Sequence, residues 1–181
     1  MAKKVQKKII DGTVQWALLV IDVQKGLFNK STPIYKADEL LTNINKLVDK
    51  AHEKDIPVVY IQHSNPTTLV YESNDWQIHA GLEPEKRDYK IYKQHGNSFE
   101  ETSLGHLLDS KSVNSLVVTG LVTHGCVKAT CLGALELGYD VVLVKDAHSN
   151  YSNEAVELIE KWNNKLSGLG AQVKATNEIE F

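Results

Sequence analysis

Three side chains stand where chemistry could be done. Asp22 follows the apolar run Trp16–Ile21, and Lys93 follows the alternating segment Tyr89–Tyr92. Cys126 follows the run Ser115–Thr119 across the turn Gly120-Leu-Val-Thr-His-Gly125-Cys126. Glycines at both ends of that turn let backbone approach a ligand closely. Cys126 then opens a helical pattern that runs to Leu137. A thiol at a helix N-terminus gains from the dipole and the unpaired amides there, which favour the thiolate. The same amides are placed to hold the oxyanion of a tetrahedral intermediate. A sulfur nucleophile, a carboxylate for proton transfer, a cation and an amide pocket are the apparatus of acyl transfer. Taken singly, each residue has an ordinary reading: a small buried cysteine, a turn or cap aspartate, a solvated lysine. Their coincidence at three strand ends of one sheet is what points to function.

The elements that must position them follow from the apolar pattern. Trp16–Ile21, Pro57–Ile61, Ser115–Thr119 and Asp140–Val144 are short, uninterrupted and rich in β-branched residues, as strands buried on both faces of a parallel sheet require. Tyr89–Tyr92 alternates and is expected nearer an edge, and Val173 is expected to open a short final strand. Asp38–Lys54 carries Leu40, Leu41, Ile44, Leu47, Val48 and Ala51 on one helical stripe. Further helices are predicted over Glu101–Leu108, over Val127–Leu137 with a stop at Gly138, and over Ser152–Leu166. Strand and helix alternate from end to end. This predicts an α/β fold, a three-layer, doubly wound, mainly parallel six-stranded sheet with helices on both faces. The expected strand order is 3-2-1-4-5-6. Strands one and four then flank the reversal beyond whose carboxyl ends ligands bind. Asp22 and Cys126 would face each other there, and Lys93, two strands away, would have to reach in by its stem. The longest irregular stretch, Ser64–Asp88, is long for a compact domain and is expected to carry substrate recognition.

Composition excludes several classes. The 181 residues, 42 % hydrophobic, suit one core, which at this size needs neither disulfide nor metal. Cys126 and Cys131 fall short of a secreted disulfide framework. The balance of 20 Lys+Arg against 23 Asp+Glu, a net of −3, lacks the basic excess of nucleic-acid-binding domains. Met1–Lys8 is basic, but Ile9-Ile10 gives way at once to Asp11-Gly12, so no apolar leader core of ~7–15 residues develops. The longest apolar run is far below the ~20 residues of a membrane span. The expectation is a flexible tail over residues 1–10 and a single cytoplasmic domain over 11–181, with no nucleic-acid or membrane partner. A dinucleotide site fails because Asp22-Val-Gln-Lys-Gly26 stands where a G-x-G-x-x-G turn would be.

Four segments carry a resemblance: ALLVIDVQKGLF around Asp22, SNDWQIHAGLEP around Trp76, YKIYKQHGNSF around Lys93, and VVTGLVTHGCVKATCLGALELGYDVVLVKDAHS around Cys126. From about Trp16 to Val173 the chain resembles the isochorismatase-like cysteine hydrolase superfamily. The resemblance implies a catalytic triad at Asp22, Lys93 and Cys126, acting on carbon–nitrogen bonds of small amides, ureides or carbamoyl compounds without a cofactor. It also implies a cis peptide between Leu121 and Val122 and an oxyanion hole formed by the Val122 and Cys126 amides. Members that cleave the vinyl ether of isochorismate lack the nucleophilic cysteine, so Cys126 argues for the amidohydrolase branch. Ether cleavage, or a non-catalytic or redox domain of the same fold, are the alternatives. Relatives commonly form dimers or larger rings, so a homo-oligomer is expected.

Other residues take lesser expectations. Phe28, Trp76, Gln24 and His63 are expected to line the substrate pocket. The metal-binding Asp-x-His of nicotinamidases is missing after the second strand, and His63 with His79 is too few ligands, so no metal is expected. His124 reads as a pocket wall or structural residue, and His95 as lining the entrance. His148 reads as an exposed turn residue. Cys131, five positions from Cys126 and so rotated by ~140°, is expected in the core.

Overall fold

The computed structural model describes residues 13–181, so the tail expected over residues 1–10 lies outside the described residues. Strands β1 (Trp16–Ile21), β2 (Val58–His63), β3 (Tyr89–Lys93), β4 (Ser115–Leu121), β5 (Asp140–Ser149) and β6 (Gln172–Lys174) form one sheet. Its order is β3-β2-β1-β4-β5-β6, and every pairing is parallel. This is the doubly wound arrangement expected, with the alternating segment β3 at an edge.

The period of two along β1 divides the core. Ala17, Leu19 and Ile21 join one apolar cluster with residues of α3 (Leu104–Ser110), α4 (Lys128–Glu136) and α5 (Ala155–Gly168). Leu18 and Val20 join the other, under Leu40, Ile44, Leu47, Val48 and Ala51 of α2 (Ala37–Glu53). These five β1 side chains, Ala17 to Ile21, are essentially inaccessible, and full burial of each large aliphatic among them stabilises the fold by about 1.5–3 kcal/mol. Both faces are therefore covered, which is why the strands read as continuous apolar runs.

Local chemistry moves three boundaries. A four-residue helix, α1 (Lys25–Phe28), follows β1; it is too short to show a helical period. Helix α3 begins at Leu104 rather than Glu101 because the Thr102 hydroxyl donates to Ser98 O at 2.6 Å and accepts from Leu104 N at 3.2 Å. That hydroxyl holds the preceding residues in turns. Strand β5 runs to Ser149, five residues past its apolar run, and pairs Gly120 with His148 and Leu121 with Ser149 after a register shift.

The strand order reverses between β1 and β4, which run parallel with Ile21 opposite Gly120. Gly120 has φ +111°, and a Cβ there would collide with the Ile21 backbone. Only glycine admits both that conformation and that approach. Among the described residues, no helix is long and apolar enough to cross a membrane.

Candidate active site

Asp22, Lys93 and Cys126 converge beyond the carboxyl ends of β1, β3 and β4. Asp22 takes a left-handed conformation, φ 52°, which aspartate tolerates better than most residues. Its backbone N–H donates to Ile61 O at 2.9 Å, fixing it to the end of β2. The side chain is buried. Oδ2 accepts from Lys93 Nζ at 2.8 Å, whereas Oδ1 is buried without a hydrogen-bond partner. One oxygen is thus committed to the cation and the other is open to a proton.

Lys93 is as enclosed as Asp22. Its ammonium reaches three acceptors: Asp22 Oδ2, His95 O at 3.2 Å and His63 Nδ1 at 3.3 Å. Three N–H donors meet three acceptors, so the charge is held in place. Because an ammonium only donates, His63 Nδ1 accepts and the neutral ring carries its proton on Nε2. Burial, then the Lys93 charge, lowers the His63 pKa and keeps that ring neutral. One ligand-type atom each from Asp22, His63 and Cys126 lie within 4.8 Å of one another. Lys93 Nζ, bonded to two of these residues, supplies the positive charge among them.

Cys126 differs from its sequence-based reading in two respects. It does not open the regular helix. Residues 123–127 form a wide turn in which Gly125 departs from helical geometry (φ −112°, ψ −111°), and α4 begins at Lys128. Nor is a resting thiolate favoured. Burial, followed by the Asp22 charge, pushes the Cys126 thiol up to about 12, with Lys93 opposing. Burial and the Asp22 charge thus work against the thiolate that the helix terminus was expected to favour. The Leu121–Val122 peptide bond is cis. The Val122 carbonyl accepts from Gly125 N at 2.9 Å and Val127 N at 3.3 Å, closing the turn on itself. Among the described residues, no hydrogen bond from the Val122 amide is found.

The residues expected to line the pocket are placed unevenly. His63 sits beside Lys93, within the cluster. Gln24 is fully buried, and its Nε2 donates to His63 O at 3.0 Å and Trp76 O at 2.8 Å, while Oε1 accepts from His63 N at 2.8 Å. Both donors are spent on backbone, so Gln24 braces the loop over 64–88 against β2. Trp76 is likewise buried, with its indole N–H on Ser64 Oγ at 2.9 Å. Its ring packs on Tyr71 and Tyr92, and Tyr92 leaves β3 on the opposite side from Lys93. Trp76 holds the loop together, and its ring partners Tyr71 and Tyr92 line a cavity with Ser64, Lys93 and His95. Phe28 rests on His79, with ring centroids 4.1 Å apart, and does not join the triad. His95 is part-exposed and bonds Glu101. His124 Nδ1 is buried without a partner, and burial lowers its pKa. Cys131 is wholly buried in the core, as its helical offset implied.

His148 corrects the expectation of an exposed turn residue. It lies inside β5, 3 % exposed, with Nδ1 2.9 Å from Thr123 Oγ1 and Nε2 3.0 Å from Asn163 Oδ1. The available signal was the lack of glycine or proline between Asp140 and Ser149 to end the strand. Burial pushes its pKa down to about 4, against ~6.5 in an unfolded chain. Between those values the unfolded chain binds a proton that the native protein does not. Stability therefore rises with pH across this window, and the His148 contribution is lost as pH falls through it. At ~1.4 kcal/mol per pH unit the full effect is about 3 kcal/mol. Urea unfolding midpoints should fall more steeply from neutral pH to about 4.5 in the wild type than in His148→Asn; equal slopes would assign the effect elsewhere.

Comparison with known proteins agrees with this geometry. A family model described as the isochorismatase domain matches residues 16–167. Streptothricin hydrolase of Streptomyces noursei is 35 % identical over 137 residues, covering 75 % of this chain and 50 % of that protein. The chain thus spans about half the length of that relative. The isochorismatase family protein YddQ of Bacillus subtilis is 32 % identical over 136 residues, covering 72 % of this chain and 76 % of that one. Among solved structures, an isochorismatase family protein superposes with a TM-score of 0.84 at 28 % identity, over 88 % of this chain and 98 % of its own. N-carbamoylsarcosine amidase of Thermoplasma acidophilum shares the fold, with a TM-score of 0.81 at 22 % identity over 93 % of this chain and 100 % of its own. With its sheet order, its strand-end cluster and a family match over most of its length, the chain belongs to the isochorismatase family of hydrolases.

Proposed function

We propose that the protein hydrolyses a carbon–nitrogen bond of a small amide, ureide or carbamoyl compound through a thioester on Cys126. The observation that carries this reading is the buried Asp22–Lys93 pair, 2.8 Å apart, with the free Asp22 Oδ1 in the same cluster as a protonated Cys126. Asp22 takes the thiol proton as sulfur attacks the substrate carbonyl, a general-base step that a resting thiol requires. The oxyanion accepts from the Val122 and Cys126 amides. Protonated Asp22 then gives its proton to the departing nitrogen, the C–N bond breaks, and ammonia or an amine leaves. Water attacks the thioester with Asp22 again as base, and sulfur leaves and regains its proton. Lys93 holds the Asp22 carboxylate in place and stabilises its charge when ionised. The names of two relatives, a streptothricin hydrolase and an N-carbamoylsarcosine amidase, support the same class of reaction.

The test is a screen of small primary amides, ureides and carbamoyl compounds for release of ammonia or amine. Release by the wild type that vanishes in Cys126→Ala is expected. Equal release by both would overturn the thioester scheme.

A further inference from the structure

The turn that carries the nucleophile hangs from a second hydrogen-bond chain that neither Asp22 nor Lys93 touches. Thr123, 1 % exposed, directly follows Val122. Its hydroxyl meets His148 Nδ1 at 2.9 Å, and His148 Nε2 meets Asn163 Oδ1 in α5 at 3.0 Å. An amide oxygen only accepts, so Nε2 must carry the ring proton. Nδ1 is then an acceptor, and the Thr123 hydroxyl must donate to it. The polarity of the chain runs one way, Thr123 to His148 to Asn163. Burial keeps the imidazole neutral down to about pH 4, so neutral pH does not reverse it. The Val122 carbonyl is already taken by the Gly125 and Val127 amides. Those bonds shape the turn internally but do not tie it to the body of the protein. The Thr123 side chain does.

We propose that His148 is a positioning residue. Through Thr123 it fixes the 122–126 turn on β5 and α5, and so sets the aim of Cys126 Sγ and of the Val122 and Cys126 amides at one carbonyl. This inference rests on Cys126 being the nucleophile. A buried histidine serving only to fill space would need neither the ordered polarity nor the contact with the residue next to the oxyanion amides.

Two reagents separate aim from mere exposure of sulfur. 4-Nitrophenyl acetate acylates a thiol through an oxyanion, so aligned amides speed it; iodoacetamide alkylates by displacement and forms no oxyanion. In Thr123→Val, which keeps the shape and removes the hydroxyl, acylation of Cys126 should slow roughly 10- to 100-fold, the range for misplacing a reacting group by about 1 Å. Alkylation of Cys126 should stay within about threefold of wild type. Thr123→Ser should restore acylation. His148→Leu should match Thr123→Val if it folds; Thr123→Val stands alone if it does not. Unchanged acylation in Thr123→Val, with the wild type acylated at Cys126, would overturn the positioning role alone. An equal fall in both reactions would also overturn it, since loosened packing would suffice. Failure of the wild type to be acylated at Cys126 would overturn the nucleophile reading and this inference with it.

Discussion

Replacing Cys126 by alanine is expected to lower hydrolysis of a genuine substrate by roughly 10⁴-fold or more, as loss of a nucleophile does elsewhere. The fold should survive, because Cys126 sits half-buried in a turn and the change removes one sulfur atom. What remains would be the binding site and the Val122 and Cys126 amides, which still polarise a carbonyl but offer it no nucleophile. Cys126→Ser tests the same point differently. A hydroxyl has an ordinary pKa far above that of a thiol, and it would meet the burial that already pushes the thiol up to about 12. Asp22 would then have to remove a less acidic proton, and serine should not rescue turnover. Single-turnover rates checked against thermal unfolding separate chemistry from folding. Alanine activity above about one hundredth of wild type would contradict the account.

Asp22→Asn should fail twice, in activity and in stability. Loss of the base should lower kcat by about 10²–10⁴-fold. It also leaves the Lys93 ammonium, whose side chain is fully enclosed, with neutral acceptors alone: the new amide oxygen, the His95 carbonyl and the His63 ring. Removing one member of a buried pair costs about 3–5 kcal/mol, because the other charge stays buried without compensation. Lys93→Met should destabilise comparably by stranding the carboxylate. The double variant Asp22→Asn with Lys93→Met removes both charges and should recover part of the stability, since neither charge is then left buried without its partner. It should recover none of the activity. Urea midpoints and ammonia-release rates on the four proteins measure the two effects independently. A double variant no more stable than either single variant would mean that the pair does not act as a unit.

Much of this was legible in the sequence because two periodicities are written locally. The uninterrupted run of β1 ended at Ile21, as read, and placed Asp22 at the strand end. The alternation of strand and helix left a few doubly wound orders, the expected one among them being that observed, and the resemblance supplied the triad of Asp22, Lys93 and Cys126. What was not legible depends on contacts between distant residues. Gln24 looked free to bind a ligand because His63 and Trp76, which take both its amide donors, lie 39 and 52 positions away. His148 looked exposed because its strand extends only through pairing with Gly120 and Leu121. The surroundings of Cys126 were not legible for a related reason. A helix start is visible locally, whereas burial and the Asp22 charge arise only when β1 and β4 are brought together.

The most direct test of a Cys126 thioester is the mass of the enzyme caught during turnover. A compound that passes the ammonia-release screen would be mixed with excess enzyme, quenched in acid within the first turnover, digested and analysed by mass spectrometry. The account predicts an acyl or carbamoyl addition on the peptide carrying Cys126, formed as ammonia or amine is released and absent from Cys126→Ala. Turnover at full rate with Cys126 unmodified at every quench time, and undiminished in Cys126→Ala, would contradict it.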